Sequence, residues 1–418
     1  MIRATPSTVK AFRRGTHRTL DPQATVERIQ GLAPIFGITR VANVTGLDVI
    51  GLPVVMVCRP NSRSLAVSQG KGLDLAAARA SGLMEAIELW HAERIDRPLR
   101  LATHNQLRFS HRIANLAGLP RCSAGRFHDE LKTLWIEGVA LATGDPVLLP
   151  YELVHMDTTR PMPPGSGCFA FSSNGLASGN HPLEAIGHGL CEVIERDANT
   201  LFELRGETAE AAARVNLDTI DDPLCREVLD LYARAGVAVA VWDITSDLGV
   251  PAFRALVLDA EADPFQVRGA GGGMGCHPSR GVALLRALTE AAQSRLTTIA
   301  GARDDMPLRK YETWRDADAL ERLRQSVVSA TPSRDYRAAP DFAAETFEED
   351  LSALLSRLAA AGFPEVIAVD LTYQGIDLPV VRIVVPGLET SRDIPGWVPG
   401  ARARAVATET AAKAAEPR

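Results

Sequence analysis

The stretch HGLCEVIERDA, residues 188–198, predicts an apolar helix that carries two carboxylates, Glu192 and Glu195, on one face. Residues three apart on a helix are neighbours, and like charges at that spacing repel each other. A near copy, SGLMEAIELWHAE, places Glu85 and Glu88 in the same relation earlier in the chain. Because burial of an unpaired carboxylate is costly, both helices need a compensating positive charge.

A third helical stretch extends this pattern. It follows the glycine cluster RGAGGGMGCHPSRG and spaces its polar residues at i, i+4 and i+7. The polar stripes comprise Ser81, Glu85 and Glu88 in the first helix, Glu184, His188, Glu192, Glu195 and Arg196 in the second, and Arg286, Glu290 and Gln293 in the third. Gly72, Gly179 and Gly275 precede Glu85, Glu192 and Glu290 by 13, 13 and 15 residues. The sequence therefore predicts a weak threefold repeat of a small-residue loop and a helix with a polar stripe.

A divalent cation would compensate so many carboxylates. Mg²⁺ takes oxygen ligands and usually shares them with phosphates, and the forked donors of Arg196 and Arg286 suit the remaining phosphate charge. Other interpretations exist, because a single pair of this kind is most often solvated surface and Glu and Arg on neighbouring helices also form structural ion pairs. The glycines fit either plain turns or a close approach of the backbone to a nucleotide. Repetition on three helices favours a site.

Composition limits the class of protein. The chain has 418 residues, 46% of them hydrophobic and 23% charged, which is typical of a soluble globular protein. A net charge of −6 argues against wholesale nucleic-acid binding. No apolar run approaches the ~20 residues of a membrane helix. Six scattered cysteines without a CxxC pair predict reduced thiols. We therefore expect a cytoplasmic protein that binds neither nucleic acid nor membrane.

Familiar catalytic motifs are absent from the sequence. SQGKGLDL lacks the order of a Walker A loop, GAGGGMG is not a Rossmann fingerprint, and no G-x-S-x-G elbow occurs. Cys191 and Cys276 are interpreted as small core residues, because nothing marks either as an activated nucleophile. For His188, a polar place within the stripe and a functional role are equally compatible with the sequence.

The alternation of strand and helix patterns predicts an α/β (α+β) fold, a single large domain over residues 1–400 with mixed sheets. Its three long helices are expected at about Leu73–Ile95, Pro182–Leu204 and Gly281–Ile299. Residues 301–345 are polar and aperiodic and are expected to form a surface excursion. Residues 401–418 have no evident apolar face, so we expect a disordered C-terminal tail.

Five stretches together resemble the YcaO superfamily, over about residues 10–400. They are GTHRTLDPQATVERI, SQGKGLDLAAARASGLMEAIELWHAER, SNGLASGNHPLEAIGHGLCEVIERDA, HPSRGVALLRALTEAAQSR and DLTYQGIDLPVVRIVVPGLE. The resemblance implies a YcaO-type fold whose pocket, unrelated to Walker folds, binds ATP and Mg²⁺. It also implies that the enzyme uses ATP to activate a backbone amide of a peptide.

Site residues are carried over motif by motif. The resemblance implies metal ligation by Glu85, Glu88, Glu192, Glu195 and Glu290. It implies nucleotide contacts from Arg18, Thr25, Ser81, Asn180, Glu184, Arg196, Arg286 and Gln293. Charge stabilisation during phosphoryl transfer would fall to Arg196, Arg286 and Glu290.

The product depends on which nucleophile attacks the activated amide. The segments GTHRTLDPQATVERI and MEAIELWHAE are most similar to the subgroup paired with TfuA proteins, which forms thioamides with sulfur that TfuA is thought to help deliver. An azoline-forming cyclodehydratase acting on a ribosomally made precursor peptide is the alternative. It is weakened because the family's Pro-x-Pro-x-Pro ending is replaced by DIPGWVPG and further residues. A non-catalytic peptide-binding scaffold is an alternative of another class. The resemblance also implies a homodimer.

Overall fold

The computed structural model describes residues 7–261, 268–306, 308–313, 316–328 and 331–415. Its α-helices are α1 Pro22–Gln30, α2 Leu75–Glu93, α3 His104–Leu107, α4 Pro182–Arg205, α5 Glu207–Ala213, α6 Pro223–Arg234, α7 Arg280–Ala300, α8 Leu308–Thr313, α9 Ala317–Val328, α10 Phe347–Ala360 and α11 Ala401–Ala415. Its strands are β1 Arg40–Asn43, β2 Val54–Cys58, β3 Val67–Lys71, β4 Leu99–Ala102, β5 Thr133–Ala140, β6 Pro146–Pro150, β7 Leu176–Ser178, β8 Val215–Asn216, β9 Val237–Asp243, β10 Ala252–Asp259, β11 Gly271–Cys276, β12 Arg334–Asp335, β13 Ile367–Asp370 and β14 Val380–Val384.

The strands form three main antiparallel sheets. One has the order β1-β2-β3, the second β11-β10-β9, and the third β4-β5-β13-β14-β7 with β6 paired to β5. A short parallel ladder joins β12 to β8. Among the described residues, parallel pairing is confined to this separate ladder and to an isolated bridge between Ile113 and Leu148. The α+β class expected from the sequence is confirmed, although the three main sheets are antiparallel rather than mixed.

The three long helices α2, α4 and α7 each follow a strand of a different sheet after a loop of three residues. The last loop residue caps the helix in every case. Asp74 accepts a hydrogen bond from the Ala77 N–H, His181 from the Leu183 N–H, and Ser279 from the Val282 N–H. Capping satisfies backbone donors that the first helical turn leaves free. The weak sequence repeat is thus a real structural repeat of strand, short loop and helix.

When residues are numbered from the first residue of each long helix, the polar residues of the three repeats occupy the same positions. Glu85, Glu192 and Glu290 are each the eleventh residue of their helix. Ser81, His188 and Arg286 are each the seventh, and Glu88, Glu195 and Gln293 the fourteenth. The unequal glycine spacing in the sequence arises because Gly275 lies inside a strand, whereas Gly72 and Gly179 lie in the connecting loops.

The glycine cluster before α7 is a strand rather than the loop that the sequence favoured. A Cβ atom on Gly273 would lie 2.2 Å from the Ala287 carbonyl oxygen, and one on Gly275 would lie 2.1 Å from that of Ala283. Both distances are impossible for real side chains. The glycines are therefore required because the backbone of α7 rests directly on β11, and neither a turn nor a nucleotide is needed to explain them.

Each long helix lies at the centre of one hydrophobic cluster. Ile87 and Trp90 of α2 belong to the first, Leu190 and Ile194 of α4 to the second, and Leu288 of α7 to the third. Because most of each helix surface is used for packing, the polar stripes are left to face one another. This arrangement places the stripes around a common space.

The C-terminal segment differs from the expected disorder over residues 401–415, which form α11. The Arg402 guanidinium lies 3.0 Å from the carboxylate of Asp197, which is fully buried. Ala403 is buried, and its N–H donates to Glu389. One paired arginine and one buried alanine are enough to dock a helix, and neither gives an apolar stripe that a sequence pattern reveals. Residues 416–418 lie outside the described residues.

Residues 301–345 were expected to form a surface excursion, but two described parts of this region contact the rest of the fold. Val327 of α9 packs into the core, and β12 pairs with β8. All six cysteines are free thiols. Within the described ranges, no helix is both long enough and apolar enough to cross a membrane.

Candidate functional site

A cavity of about 800 Å³ lies where the polar stripes of α2, α4 and α7 converge. Its volume is within the range of small-molecule sites. All 13 side chains proposed from the sequence line it, namely Arg18, Thr25, Ser81, Glu85, Glu88, Asn180, Glu184, Glu192, Glu195, Arg196, Arg286, Glu290 and Gln293. The structure therefore brings the whole set together, although the residues are spread over most of the chain.

Four carboxylates in the cavity are held in an environment that disfavours their charge. Burial raises the pKa of Glu88 to about 8, even though hydrogen bonds from Ser178 oppose the rise. Burial also raises the pKa of Glu195 to about 7, with Arg196 opposing it. The pKa values of Glu85 and Glu192 are raised by the same cause. A cation bound in the cavity would offset the cost of keeping these buried carboxylates charged.

Glu290 is the exception among the glutamates. Burial alone would raise its pKa, but Lys71 and Arg196 outweigh burial and the pKa is lowered. The Lys71 ammonium donates a hydrogen bond to Glu290 Oε2 at 3.0 Å. Lys71 belongs to the stretch SQGKGLDL, which sequence reasoning tested only as a phosphate loop. Its place in this cavity was missed.

The strand ends of the three units interlock around the cavity. Lys71 ends β3 and contacts Glu290 of α7, whereas Ser178 ends β7 and donates two hydrogen bonds to Glu88 of α2. Cys276 ends β11 and is buried in the same hydrophobic cluster as Cys191 of α4. Each strand end therefore supports the helix of another unit, in a cyclic order that sequence analysis did not reveal.

Two guanidinium groups face the carboxylates. Arg196 Nη2 lies 3.8 Å from Glu195 Oε1. Burial would lower the pKa of Arg196, but Glu195 and Glu192 outweigh it and raise the pKa. Arg286 Nη2 lies 3.0 Å from His188 Nε2. Its Nε is buried and has no hydrogen-bond partner among the described residues, so an anion in the cavity could accept its N–H.

His188 lines the cavity and contacts Arg286. Burial, followed by the charge of Arg286, lowers the pKa of His188 well below its usual value. The imidazole is therefore neutral, and its Nε2 accepts the arginine N–H. Of the two interpretations left open by the sequence, the structure favours a positioning role for this histidine within the stripe.

The N-terminal segment closes one side of the cavity. Thr25 Oγ1 accepts a hydrogen bond from Asn180 Nδ2 at 2.9 Å. Both oxygens of Glu184 are occupied by backbone donors, the N–H groups of Thr19 and Asn180. Glu184 thus fastens the N-terminal segment to the start of α4. Burial lowers the pKa of Arg18, whose side chain enters the cavity from the same segment.

Ser81 and Gln293, two of the nucleotide contacts implied by the resemblance, also lie in the cavity wall. Gln293 Oε1 is buried without a hydrogen-bond partner in the part of the chain that the structure describes. A buried amide oxygen in that condition is available to a ligand. Gln69, which the sequence did not single out, lies beside it in the wall.

A second cluster of possible metal ligands lies behind the N-terminal segment. His17, His277 and Asp350 offer ligand atoms within 4.8 Å of one another. The Lys10 ammonium already pairs with Asp350 at 2.5 Å. Burial, followed by the charge of Lys10, lowers the pKa of His17 to about 4. This cluster has its own cation and disfavours another, so we interpret it as a structural polar cluster.

Comparisons with known proteins agree with the cavity. A family model described as YcaO cyclodehydratase, ATP- and Mg²⁺-binding, matches residues 69–389. A protein of Rhizobium leguminosarum bv. trifolii, described as an uncharacterized protein in the tfuA 3′ region, is 37% identical over 386 residues, covering 91% of this chain and 90% of the relative.

Two solved structures share the fold. YcaO from Methanopyrus kandleri, bound with AMPPCP and Mg²⁺, has a TM-score of 0.72 at 24% identity, covering 91% of this chain and 95% of that chain. A heterocyclase in complex with substrate and cofactor has a TM-score of 0.74 at 22% identity, covering 92% of this chain and 54% of that one.

Proposed function

This chain belongs to the YcaO family, and from that membership we propose that it converts a backbone amide of a peptide into a thioamide, using ATP and Mg²⁺. The family is ATP- and Mg²⁺-binding, which confirms the cofactors expected from the sequence. The coarser activity, ATP-dependent modification of peptides, is the one that the family and its heterocyclase neighbours share. The thioamide product and the roles of individual residues are our proposals.

One observation carries the proposal. Five glutamates face Arg18, Arg196 and Arg286 within a single cavity, and burial raises the pKa of four of those carboxylates. Hard oxygen donors with uncompensated charge fit Mg²⁺, and arginine forks fit phosphate oxygens. The Methanopyrus structure, whose ligands are AMPPCP and Mg²⁺, supports the same assignment here.

The proposed role of each residue follows from these contacts. Glu85, Glu88, Glu192, Glu195 and Glu290 would hold Mg²⁺, which supplies neutralisation of the phosphate charge. Arg18, Arg196 and Arg286 would contact the phosphates, with Thr25, Ser81, Asn180 and Gln293 as further nucleotide contacts. Glu184 would contribute indirectly, because its carboxylate is occupied in fastening the N-terminal segment.

In the proposed reaction, ATP supplies the phosphoryl group that allows the amide oxygen to leave. Hydrosulfide adds to the amide carbonyl carbon, and the resulting oxyanion takes the γ-phosphoryl group of ATP with release of ADP. The S–H proton is then lost to water, the carbon–oxygen bond breaks with expulsion of phosphate, and a carbon–sulfur double bond remains. Within such a reaction, the residues of this chain hold the reactants in line and stabilise the charge on the transferred group.

The partner proposal rests on the Rhizobium relative, whose description places it in the tfuA 3′ region. We propose that a TfuA-type protein supplies sulfur to this enzyme, that the substrate is a ribosomally made peptide or a protein, and that the enzyme acts as a homodimer. Azoline formation is the second candidate, because the family model bears the name cyclodehydratase. A non-catalytic scaffold is disfavoured by the complete set of glutamates and arginines.

The experiment is a phosphate-release assay with the purified enzyme, ATP, Mg²⁺, sulfide and candidate precursor peptides, followed by mass analysis. A thioamide product gains the mass difference between sulfur and oxygen, whereas an azoline loses one water. We expect phosphate release that depends on the peptide, together with a product whose mass has increased by the difference between sulfur and oxygen. Peptide-dependent release with loss of water would replace the thioamide proposal by azoline formation. If no peptide causes phosphate release even in the presence of the cognate TfuA-type protein, the proposal that this chain is an enzyme is refuted.

A further inference from the structure

Lys71 is a cation of the cavity wall whose role the proposed function leaves open. It ends β3, and its ammonium lies 3.0 Å from Glu290 Oε2 on α7. The side chains of Lys71 and Glu290 are 21% and 23% exposed, so the pair borders the cavity rather than lying beneath it. A structural ion pair that only joined strand to helix would not need to face the space where a ligand binds.

The equivalent strand ends clarify what Lys71 does. Ser178 and Cys276 occupy the same position in the other two units, and both are neutral side chains; Ser178 donates a hydrogen bond to Glu88 of a neighbouring helix. Lys71 alone brings a charge to this position. Without metal, Lys71 therefore satisfies a carboxylate that we assign to Mg²⁺.

Mg²⁺ bound to Glu290 would place a divalent cation close to the Lys71 ammonium, which lies 3.0 Å from Glu290 Oε2. Repulsion between the two cations weakens the ion pair, so the ammonium is driven to seek another anion in the cavity. Lysine carries three donors on a flexible four-carbon stem, and it binds phosphate as a point charge. The nearest new anion in a nucleotide-bound cavity would be the triphosphate.

We propose that Lys71 is a phosphate-binding residue that exchanges Glu290 for the nucleotide when Mg²⁺ binds. The proposal rests on the assignment of ATP and Mg²⁺ to this cavity, but not on the thioamide product. Lys71 thus acts twice: it holds the Glu290 carboxylate in place before the metal arrives, and it binds the phosphates afterwards.

A purely structural ion pair and the exchange proposal predict opposite signs for one measurement. Under either hypothesis, Lys71→Met removes the ion pair with Glu290, so the affinity for the metal in the absence of nucleotide should rise. If Lys71 only competes with the metal, the Mg²⁺ complex of AMPPCP should also bind more tightly. If Lys71 contacts phosphate, the same complex should bind more weakly, by about tenfold or more, because a charge-assisted hydrogen bond is lost.

The experiment is calorimetric titration of the full chain, first with Mn²⁺ alone and then with AMPPCP at saturating Mg²⁺. For Lys71→Met we expect tighter Mn²⁺ binding and weaker AMPPCP binding, whereas Lys71→Arg should retain most of the nucleotide affinity. Lys132→Met, at an exposed lysine, is the matched control. Lys71→Gln, which keeps a hydrogen-bond donor beside Glu290, serves if the methionine variant does not fold.

Unchanged or tighter AMPPCP binding in a folded Lys71 variant would overturn the proposal. Because no peptide is present, these results are independent of the product. If the mass assay refutes the thioamide product, the conclusion about Lys71 is therefore unaffected. If the titrations refute the role of Lys71, the thioamide proposal is likewise unaffected.

Discussion

Glu88 and Ser178 are joined by two hydrogen bonds to the same oxygen. The Ser178 backbone N–H donates to Glu88 Oε1 at 2.9 Å, and its hydroxyl donates to the same atom at 2.7 Å. Glu88 belongs to α2, whereas Ser178 ends β7 in the next unit. The contact fixes one oxygen of a carboxylate that burial would otherwise leave poorly placed. It also ties two of the three repeated units together at the cavity.

Ser178→Ala should weaken Mg²⁺ binding by about tenfold, because partners of metal ligands typically affect metal affinity on that scale. The backbone N–H remains, so folding should be little affected. Calorimetry with Mg²⁺ in the presence of AMPPCP measures the change. Ser294→Ala alters another serine of the cavity wall and is the control. Equal loss in both variants would show that the effect is not specific to the Glu88 contact.

Glu192→Gln should separate stability from catalysis. Burial raises the pKa of Glu192, so a neutral amide of the same size should leave the free energy of unfolding unchanged or slightly raised in the absence of nucleotide. Loss of one proposed metal ligand should reduce turnover by about 100-fold or more. Thermal melting and peptide-dependent phosphate release are measured on one preparation, with the exposed Glu207→Gln as control. Near-normal turnover in the folded Glu192 variant would refute its proposed role.

ATP binding should require Mg²⁺. Without the metal, the negative phosphates approach five carboxylates, and one such contact at about 4 Å costs several kcal/mol in a protein site. We expect the affinity for AMPPCP to fall by about tenfold or more when EDTA removes the metal. The Glu192→Gln variant should lose less on metal removal than the natural chain, because it has one charge fewer. Equal AMPPCP affinity with and without Mg²⁺ would contradict the metal assignment.

His155 should make stability depend on pH. It is fully buried against Tyr151 and Phe171, and burial lowers its pKa from about 6.5 to about 4. The unfolded chain therefore binds more protons between those values, so the free energy of unfolding falls as the pH drops from about 6.5 towards 4. His155→Phe should reduce this fall, although buried His17 and His91 preserve part of it. Urea unfolding at pH 7.5 and pH 5 tests the effect.

A control for that series is His128→Phe, at an exposed histidine. It should leave the difference in unfolding free energy between the two pH values unchanged. If His155→Phe behaves like His128→Phe, protonation of His155 does not contribute to acid destabilisation.

Arg402→Met tests the docking of α11. The substitution leaves the buried carboxylate of Asp197 without its guanidinium, and removal of one partner of a buried pair costs about 3 kcal/mol or more. Burial already raises the pKa of Asp197 to about 6 despite Arg402, so the carboxylate should protonate in part and limit the loss. Asp197→Asn in the Arg402→Met background should recover stability. Arg404→Met, at an exposed arginine of the same helix, should change little in urea unfolding.

The polar stripes of the cavity were predictable because they depend on helix geometry, whereas Arg18, Thr25 and Asn180 were implied only by the resemblance to the family. Glu85 and Glu88, or Glu192 and Glu195, share a face wherever a helix forms, since the period of the helix is fixed. Repetition of that face on three helices then indicated a shared site. The helix starts expected at about Leu73, Pro182 and Gly281 are within two residues of the starts in the structure, Leu75, Pro182 and Arg280.

The contacts between units could not be predicted in this way. Lys71 and Glu290 are 219 residues apart, and Ser178 and Glu88 are 90 apart. No periodicity relates such pairs, because their distance depends on how three sheets and three helices pack together. The same reason explains why the glycines of β11 resembled a loop and why α11 resembled a disordered tail. Local pattern fixes which side of a helix is polar, whereas the partner of each polar group is chosen by the packing of the whole chain.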